Sequence, residues 1–151
     1  MMNSKKTFAN ALNIGIEKAR FIDHQSKEIN QIIEELRSQI FLQTNGKVEV
    51  SVMDDASNYK SHSAVYDGPL FNIGTNKKIL AAKNNEKTMR LSYWDTNKGG
   101  YPCTIKYGDI SASAGDKESL IGILEDMLSD SDIAKNIIEL MQGDSTNNSN
   151  P

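Results

Sequence analysis

Apolar side chains recur at steps of three and four through residues 4–43, and this spacing predicts a long N-terminal helix. The apolar stripe thins at Gln25–Lys27, where we expect a bend or a break. Gly46 predicts the end of the helix, because glycine suits the left-handed conformation of a C-cap. A helix of this length would overhang a small domain, so the region forms two helices or its N-terminal half meets another chain. The stripe contains Phe8, Leu12, Ile16, Ala19, Ile22, Ile29, Ile32, Ile33, Leu36 and Ile40.

Alternation of apolar and polar residues predicts an antiparallel sheet of about four or five strands in the middle of the chain. The clearest signals are at 89–94, where Leu91 and Tyr93 alternate with Ser92 and Trp94, and at 101–107. A loop that ends in Gly99-Gly100 joins the two as a hairpin. Gly108-Asp109 allows a second tight reversal. The remaining candidate strands are 48–52, 64–71, 78–83 and 110–114, of which 64–71 and 78–83 have the weakest patterns.

Two shorter amphipathic helices follow the predicted sheet. Asp116 is the expected N-cap of the first, since its carboxylate can accept a hydrogen bond from the first-turn amides. Ser131 is the expected cap of the second, and Gly143 its expected end. Residues 144–151 contain no apolar side chain and are expected to form a disordered polar tail. Connections this short leave little room for crossover helices, so the pattern favours an α+β fold with both C-terminal helices packed on one face of the sheet.

Length and composition indicate one domain over residues 1–143, with its first one or two turns frayed. A chain of 151 residues suits a single core, but its apolar fraction of 38% makes that core modest. The sequence contains no apolar run long enough for a transmembrane helix and no signal-peptide pattern at the N-terminus. Cys103 is the only cysteine, so no internal disulfide forms. We therefore expect a cytoplasmic protein.

Charge is divided unevenly along the chain. Residues 109–151 hold nine acids and two lysines, a net charge of −7, whereas residues 1–108 hold eleven acids and fifteen bases, a net charge of +4. The net charge of −3 disfavours general nucleic-acid binding. A local field of one sign selects partners of the opposite sign, so the acidic C-terminal part favours a basic protein partner.

Motifs for catalysis, metals and nucleotides are missing from the sequence. His24 lies on the predicted N-terminal helix without a metal-ligand partner at helical spacing, and Cys103 shares an apolar strand face, which is typical of a buried thiol. No glycine-rich phosphate-binding motif occurs. We therefore expect no enzyme activity, no metal and no cofactor. The alternative is a small hydrolase or ligand binder that uses the 54–67 loop, where Asp54, Asp55, His62 and Asp67 would have to converge.

These observations predict a small protein-binding protein, of the kind of bacterial or phage inhibitors such as immunity proteins or antitoxins. That comparison concerns size, acidity and lack of motifs, and is not a family resemblance. Tyr93 and Trp94 are added to the predicted partner-binding surface, because Tyr and Trp dominate interface hot spots. A second hypothesis is a structural protein that multimerises through residues 4–43. The predicted partner-binding residues are Glu125, Asp126, Asp130, Asp132, Glu139, Tyr93 and Trp94.

Overall fold

The structure, a computed structural model, describes residues 4–55 and 77–148, with side chains over 7–55 and 77–143. The expected α+β architecture is confirmed: a long N-terminal helix, an antiparallel sheet and two C-terminal helices. The predicted strand at 64–71 lies outside the described residues. The helices are α1 (Ser4–Gln43), α2 (Lys117–Leu128) and α3 (Ser131–Asn148); the strands are β1 (Glu49–Asp54), β2 (Lys78–Lys83), β3 (Thr88–Asn97), β4 (Gly100–Tyr107) and β5 (Ile110–Ala114).

The described strands form a meander in the order β1-β2-β3-β4-β5, and every neighbouring pair is antiparallel. All three helices pack on one face of this sheet, which we call the inner face, as the sequence predicted for the C-terminal pair. Alternate residues such as Val50, Leu80 and Ile105 point inward and are buried. A cluster of buried apolar side chains includes residues from each of these helices and strands and lies between the helices and the inner face.

A β-bulge in β3 changes which residues face the core. Leu80 of β2 pairs with Ser92, but the next residue of β2 pairs with Arg90, so Leu91 has no opposite partner. Leu91 and Ser92 are both buried, and the alternation resumes one position out of phase, with Trp94 inward. The simple alternation in the sequence put Leu91 and Tyr93 on one face, which was wrong because a one-residue shift exchanges the two faces.

Helix α1 is continuous from Ser4 to Gln43, so of the bend or break expected at Gln25–Lys27, the break was wrong. The polar gap in its stripe lies where the helix crosses the start of β4. Gln25 Oε1 accepts a hydrogen bond from the backbone N–H of Tyr101 at 3.1 Å, and a Cβ on Gly100 would lie 2.5 Å from that oxygen. At this crossing Gln25 therefore makes a polar contact with the backbone of β4 in place of apolar packing. The helix itself stays continuous.

The C-terminal half of α1 is fixed to the sheet by apolar and ionic contacts. Ile29 and Ile33 are buried against the inner face. Arg37 lies 2.7 Å from Glu34 on its own helix and 3.1 Å from Glu49 of β1. The two carboxylates raise the pKa of the Arg37 guanidinium, with Glu34 the larger cause. This half of α1 is thus part of the fold.

The end of α1 has the predicted capping residue, whereas both predicted end residues of α3 were wrong. Gly46 has a positive φ of 78° just past α1, as expected of a C-cap. Gly143 does not have a positive φ and α3 runs on to Asn148, so the predicted end of this helix at Gly143 was wrong. The cap of α3 is Asp130 and not Ser131, because Asp130 Oδ1 accepts from the backbone N–H of Asp132 at 2.8 Å. None of the described helices is long and apolar enough to cross a bilayer.

Candidate protein-binding surfaces

The N-terminal half of α1 is an exposed helical arm, which we define as residues 8–21. Every side chain in the arm is exposed, and the first buried residue of α1 is Ile29. The helix is about 60 Å long at 1.5 Å per residue, so it extends well past the sheet that its C-terminal half covers. The arm therefore provides a helix surface that the described residues leave uncovered.

Large apolar side chains lie on two sides of the arm. Phe8, Leu12 and Ile16 follow one another at steps of four and form the first row, with Phe8 and Leu12 exposed to 72% and 63%. Ile14 and Phe21 are seven residues apart and form the second row, exposed to 55% and 62%. At about 100° per residue the second row lies well over a quarter-turn around the helix from the first. A helix that is apolar on two sides is typical of one packed against neighbours.

A groove of about 410 Å³ runs between the C-terminal half of α1 and α2, and we call it the α1–α2 groove. Its lining is mostly apolar at the floor and acidic at the rim. Glu28 at the rim accepts a hydrogen bond from the Tyr101 hydroxyl at 2.8 Å, and burial together with this carboxylate raises the pKa of Tyr101. The apolar lining residues are Ile32, Leu36, Ile121, Leu124 and Leu128; the charged ones are Glu28, Glu35, Lys117 and Glu125.

The five acids predicted to bind a partner lie in three different surroundings. Glu125 lines the α1–α2 groove. Asp126 and Asp130 lie near the end of β4, where they add to the effect of burial in raising the pKa of Tyr107. Asp130 is also the cap of α3, and Asp132 is exposed in the first turn of that helix. Glu139 forms an ion pair with Lys87 of the β2–β3 turn. Helix capping, the favourable effect of an acid in the first turn of a helix and one ion pair thus explain some of these acids without a partner.

Tyr93 and Trp94 point to opposite faces of the sheet, so the structure does not bring them to one surface. Trp94 is 7% exposed and belongs to the core, which removes it from the predicted partner-binding set. Tyr93 is on the outer face and partly exposed, with the Arg90 guanidinium 4.4 Å above its ring centre. Adjacent strand residues point to opposite faces, and the bulge in β3 decides that Trp94 and not Tyr93 points inward, because it reverses the alternation just before them.

Residues considered for chemistry are dispersed or engaged in other contacts. Asp54 pairs with Lys78 at 2.8 Å, Asp55 is buried, and His24 is exposed on α1. Cys103 is fully buried, as expected, and burial raises the pKa of its thiol to about 12. His62 and Asp67 lie outside the described residues, so the hypothesis of a 54–67 site is untested. Within residues 4–55 and 77–148, no group of three or more potential metal ligands occurs.

Comparisons with protein-family models, with curated proteins and with solved structures found no match.

Sequence reasoning missed the second apolar row of the arm and the groove. Ile14 and Phe21 do not follow the stripe that predicts α1, so they were not singled out. A signal was present, because Ile14, Phe21, Glu28 and Glu35 are spaced by seven and share one face of a continuous helix. The groove itself depends on how α2 packs beside α1, which periodicity does not specify.

Proposed function

We propose that this protein is a non-enzymatic assembly protein that multimerises through helix-on-helix packing of the arm. The observation that carries the proposal is the exposure of Phe8, Leu12, Ile14 and Phe21 on a helix outside the core. Single exposed apolar residues are ordinary on protein surfaces, whereas a contiguous group marks an interaction site. The two-sided arrangement supports contact with a protein surface.

The energetics of an isolated helix support the same conclusion. A helix of about 12–15 residues is marginal in water without tertiary contacts. The arm has about that length and contains Gly15, which costs about 1 kcal/mol relative to Ala in a helix. A partner that covered the apolar rows would supply the stabilisation that the rest of the fold does not give.

Replacing the arm's large apolar side chains tests the proposal. In one variant, Phe8→Gln, Leu12→Gln, Ile14→Gln and Phe21→Gln are combined, because glutamine keeps helix propensity while removing apolar surface. The matched control is Ile138→Gln on α3, whose side chain is 48% exposed. Light scattering is expected to give a mass above the 16.7 kDa monomer for the wild type and the control, and the monomer mass for the arm variant. A monomeric wild type, or an arm variant that associates equally well, would contradict the proposal.

A second candidate function is the binding of a basic protein, as by a cytoplasmic inhibitor of the immunity or antitoxin type. It is favoured by the exposed positions of Glu125 and Asp126 on neighbouring sites of α2. Such binding is expected to weaken as salt is raised and when either acid is changed to lysine. The test is to capture a partner from the native cells. If neither salt nor either substitution changed its binding, this role for the acidic surface would be excluded.

A further inference from the structure

We infer that the arm's partner is a second copy of this chain, and that Ile14 and Phe21 of each copy pack into the α1–α2 groove of the other. The inference rests on the proposed function, because it names the surface to which the arm binds. It commits to the second row of the arm and not to Phe8, Leu12 and Ile16.

Symmetry selects the second row. Residues spaced by seven lie within about 20° of one another around a helix, so Ile14 and Phe21 share a face of α1 with Glu28 and Glu35 of the groove. In a two-fold pair of antiparallel helices the same face of each copy meets the other. When the arm of one copy enters the groove of its partner, the reciprocal contact forms by the same rotation. The pair is therefore closed and does not grow into a filament.

The dimensions of the arm and the groove agree. The groove takes its α1 residues from positions 28–39, which span about 17 Å along the helix axis. The second row, extended to its neighbour Ala11, spans residues 11–21, or about 15 Å. Ile32, Leu36 and Ile121 provide apolar surface in the groove for Ile14 and Phe21 to cover.

Charge also favours this pairing. The arm carries two basic side chains, Lys18 and Arg20, and one acid, Glu17, whereas the groove contains three acids and one lysine. Lys18 lies four residues after Ile14 and three before Phe21, and Glu17 three after and four before, so one charge of each sign flanks the second row. On docking, Lys18 reaches the acidic rim that includes Glu35 and Glu125. An amphipathic helix bound to a lipid surface would instead have one broad apolar face, which the two separate rows of the arm do not form.

The two-fold axis sets a register that cross-linking can test. When residues 11–21 are centred on residues 29–39 of the partner, Ala11 lies opposite Gln39 and Phe21 opposite Ile29. Ala11 and Gln39 are both exposed, and within one chain they are about 42 Å apart along the helix. A disulfide needs Cα atoms about 6 Å apart, so a bond between cysteines at these positions forms only between two copies.

The experiment uses the full chain with the pair Ala11→Cys and Gln39→Cys under mild oxidation. The matched control is Ala9→Cys with Gln39→Cys, because Ala9 is two residues, or about 200°, away around the helix. Cys103 stays in place, since it is fully buried and does not compete. We expect the first pair to give a covalent dimer in most chains and the control pair to give at least ten-fold less.

Two results would overturn the inference in different ways. A wild-type chain that stays monomeric in light scattering would remove both the inference and the proposed function. Suppose that the wild type associates and the arm variant does not, but that the Ala11→Cys pair cross-links no more than the Ala9→Cys pair. The inference would then be wrong, and the proposed function would still hold.

A charge reversal gives an independent measurement. Glu125→Lys puts a positive charge on the groove rim, and we expect it to raise the dissociation constant several-fold. Asp126→Lys makes the same change one residue away, outside the groove lining, and is expected to leave that constant within two-fold. Equal effects of the two substitutions would contradict docking in the α1–α2 groove.

Discussion

Two buried hydroxyl groups show how single residues stabilise or strain this fold. Thr44 Oγ1, just after α1, donates to the Ile40 carbonyl at 2.8 Å and accepts from the Val48 N–H at 3.1 Å. Ser92 Oγ is buried at the β-bulge and has no hydrogen-bond partner among the described residues. A buried polar group stabilises the fold only when it is hydrogen-bonded. The Thr44 hydroxyl therefore raises the free energy of unfolding, and the Ser92 hydroxyl lowers it.

Replacing each hydroxyl residue by alanine is expected to have opposite effects on stability. Ser92→Ala removes an unpaired polar group and should raise the free energy of unfolding by about 1 kcal/mol. Thr44→Ala leaves the Val48 amide unpaired and should lower it by about 2 kcal/mol. Urea unfolding measures both, and a loss of stability in both variants would show that Ser92 has a partner.

The stability that Asp116 gives to the start of α2 depends on pH. Its carboxylate accepts from the Ser119 N–H at 2.8 Å, and this bond holds the pKa of Asp116 below its usual range. A lowered pKa in the folded state contributes stability at neutral pH that is lost as pH falls through that pKa. Asp116→Asn keeps an acceptor oxygen but does not titrate. The stability advantage of the wild type over this variant, measured by urea unfolding, should therefore shrink from pH 7 to pH 3; a constant difference would contradict the role of the charge.

At the scale of elements, the sequence predicted helices and strands better than it predicted their contacts. Apolar periodicity gave α1, α2 and the hairpin of β3 and β4, because each buries one face. It misread the polar gap at Gln25, where the helix meets a backbone N–H and a glycine rather than side chains. It also misread Trp94, because a bulge that inserts one residue leaves no mark in composition. Contacts between elements depend on partners that are distant in the chain.

The crossing of α1 over β4 should tolerate no side chain at Gly100. An alanine there places Cβ 2.5 Å from Gln25 Oε1 and 3.4 Å from Gln25 Cβ, and moving Gln25 breaks its bond to Tyr101. We expect Gly100→Ala to lower the free energy of unfolding by about 1–3 kcal/mol. Gly122→Ala on α2, where nothing lies within 4 Å of the new Cβ, is the control and should raise it by about 1 kcal/mol. Thermal unfolding that ranks the two variants the other way would contradict the close approach.

The two halves of α1 should differ in local stability. Amides of the arm are expected to exchange hydrogen quickly at low protein concentration, because no tertiary contact stabilises them. Amides at 29–40 should be protected, since this half is packed on the sheet. If the arm associates, its protection rises with protein concentration, and Ile14→Gln with Phe21→Gln should remove that rise. Arm amides as protected as those of the packed half in dilute solution would argue against an unpartnered arm.

At the scale of the whole molecule, the uneven charge has a structural counterpart. The arm carries Lys18 and Arg20 against one acid, Glu17, and part of the acidic C-terminal segment forms the rim of the α1–α2 groove. Opposite charges separated in this way within one chain favour contact between copies. The sequence predicted the asymmetry and the overhanging helix, but only the packing of α2 beside α1 shows where a complementary surface lies.

Sedimentation equilibrium of the unmodified 151-residue chain over a wide concentration range tests the central claim most directly. Reciprocal docking is expected to give a reversible equilibrium between one chain and two, with the mass reaching twice 16.7 kDa and rising no further. A mass that stays at 16.7 kDa up to the highest concentrations would mean that no second copy covers the arm, and would contradict reciprocal docking.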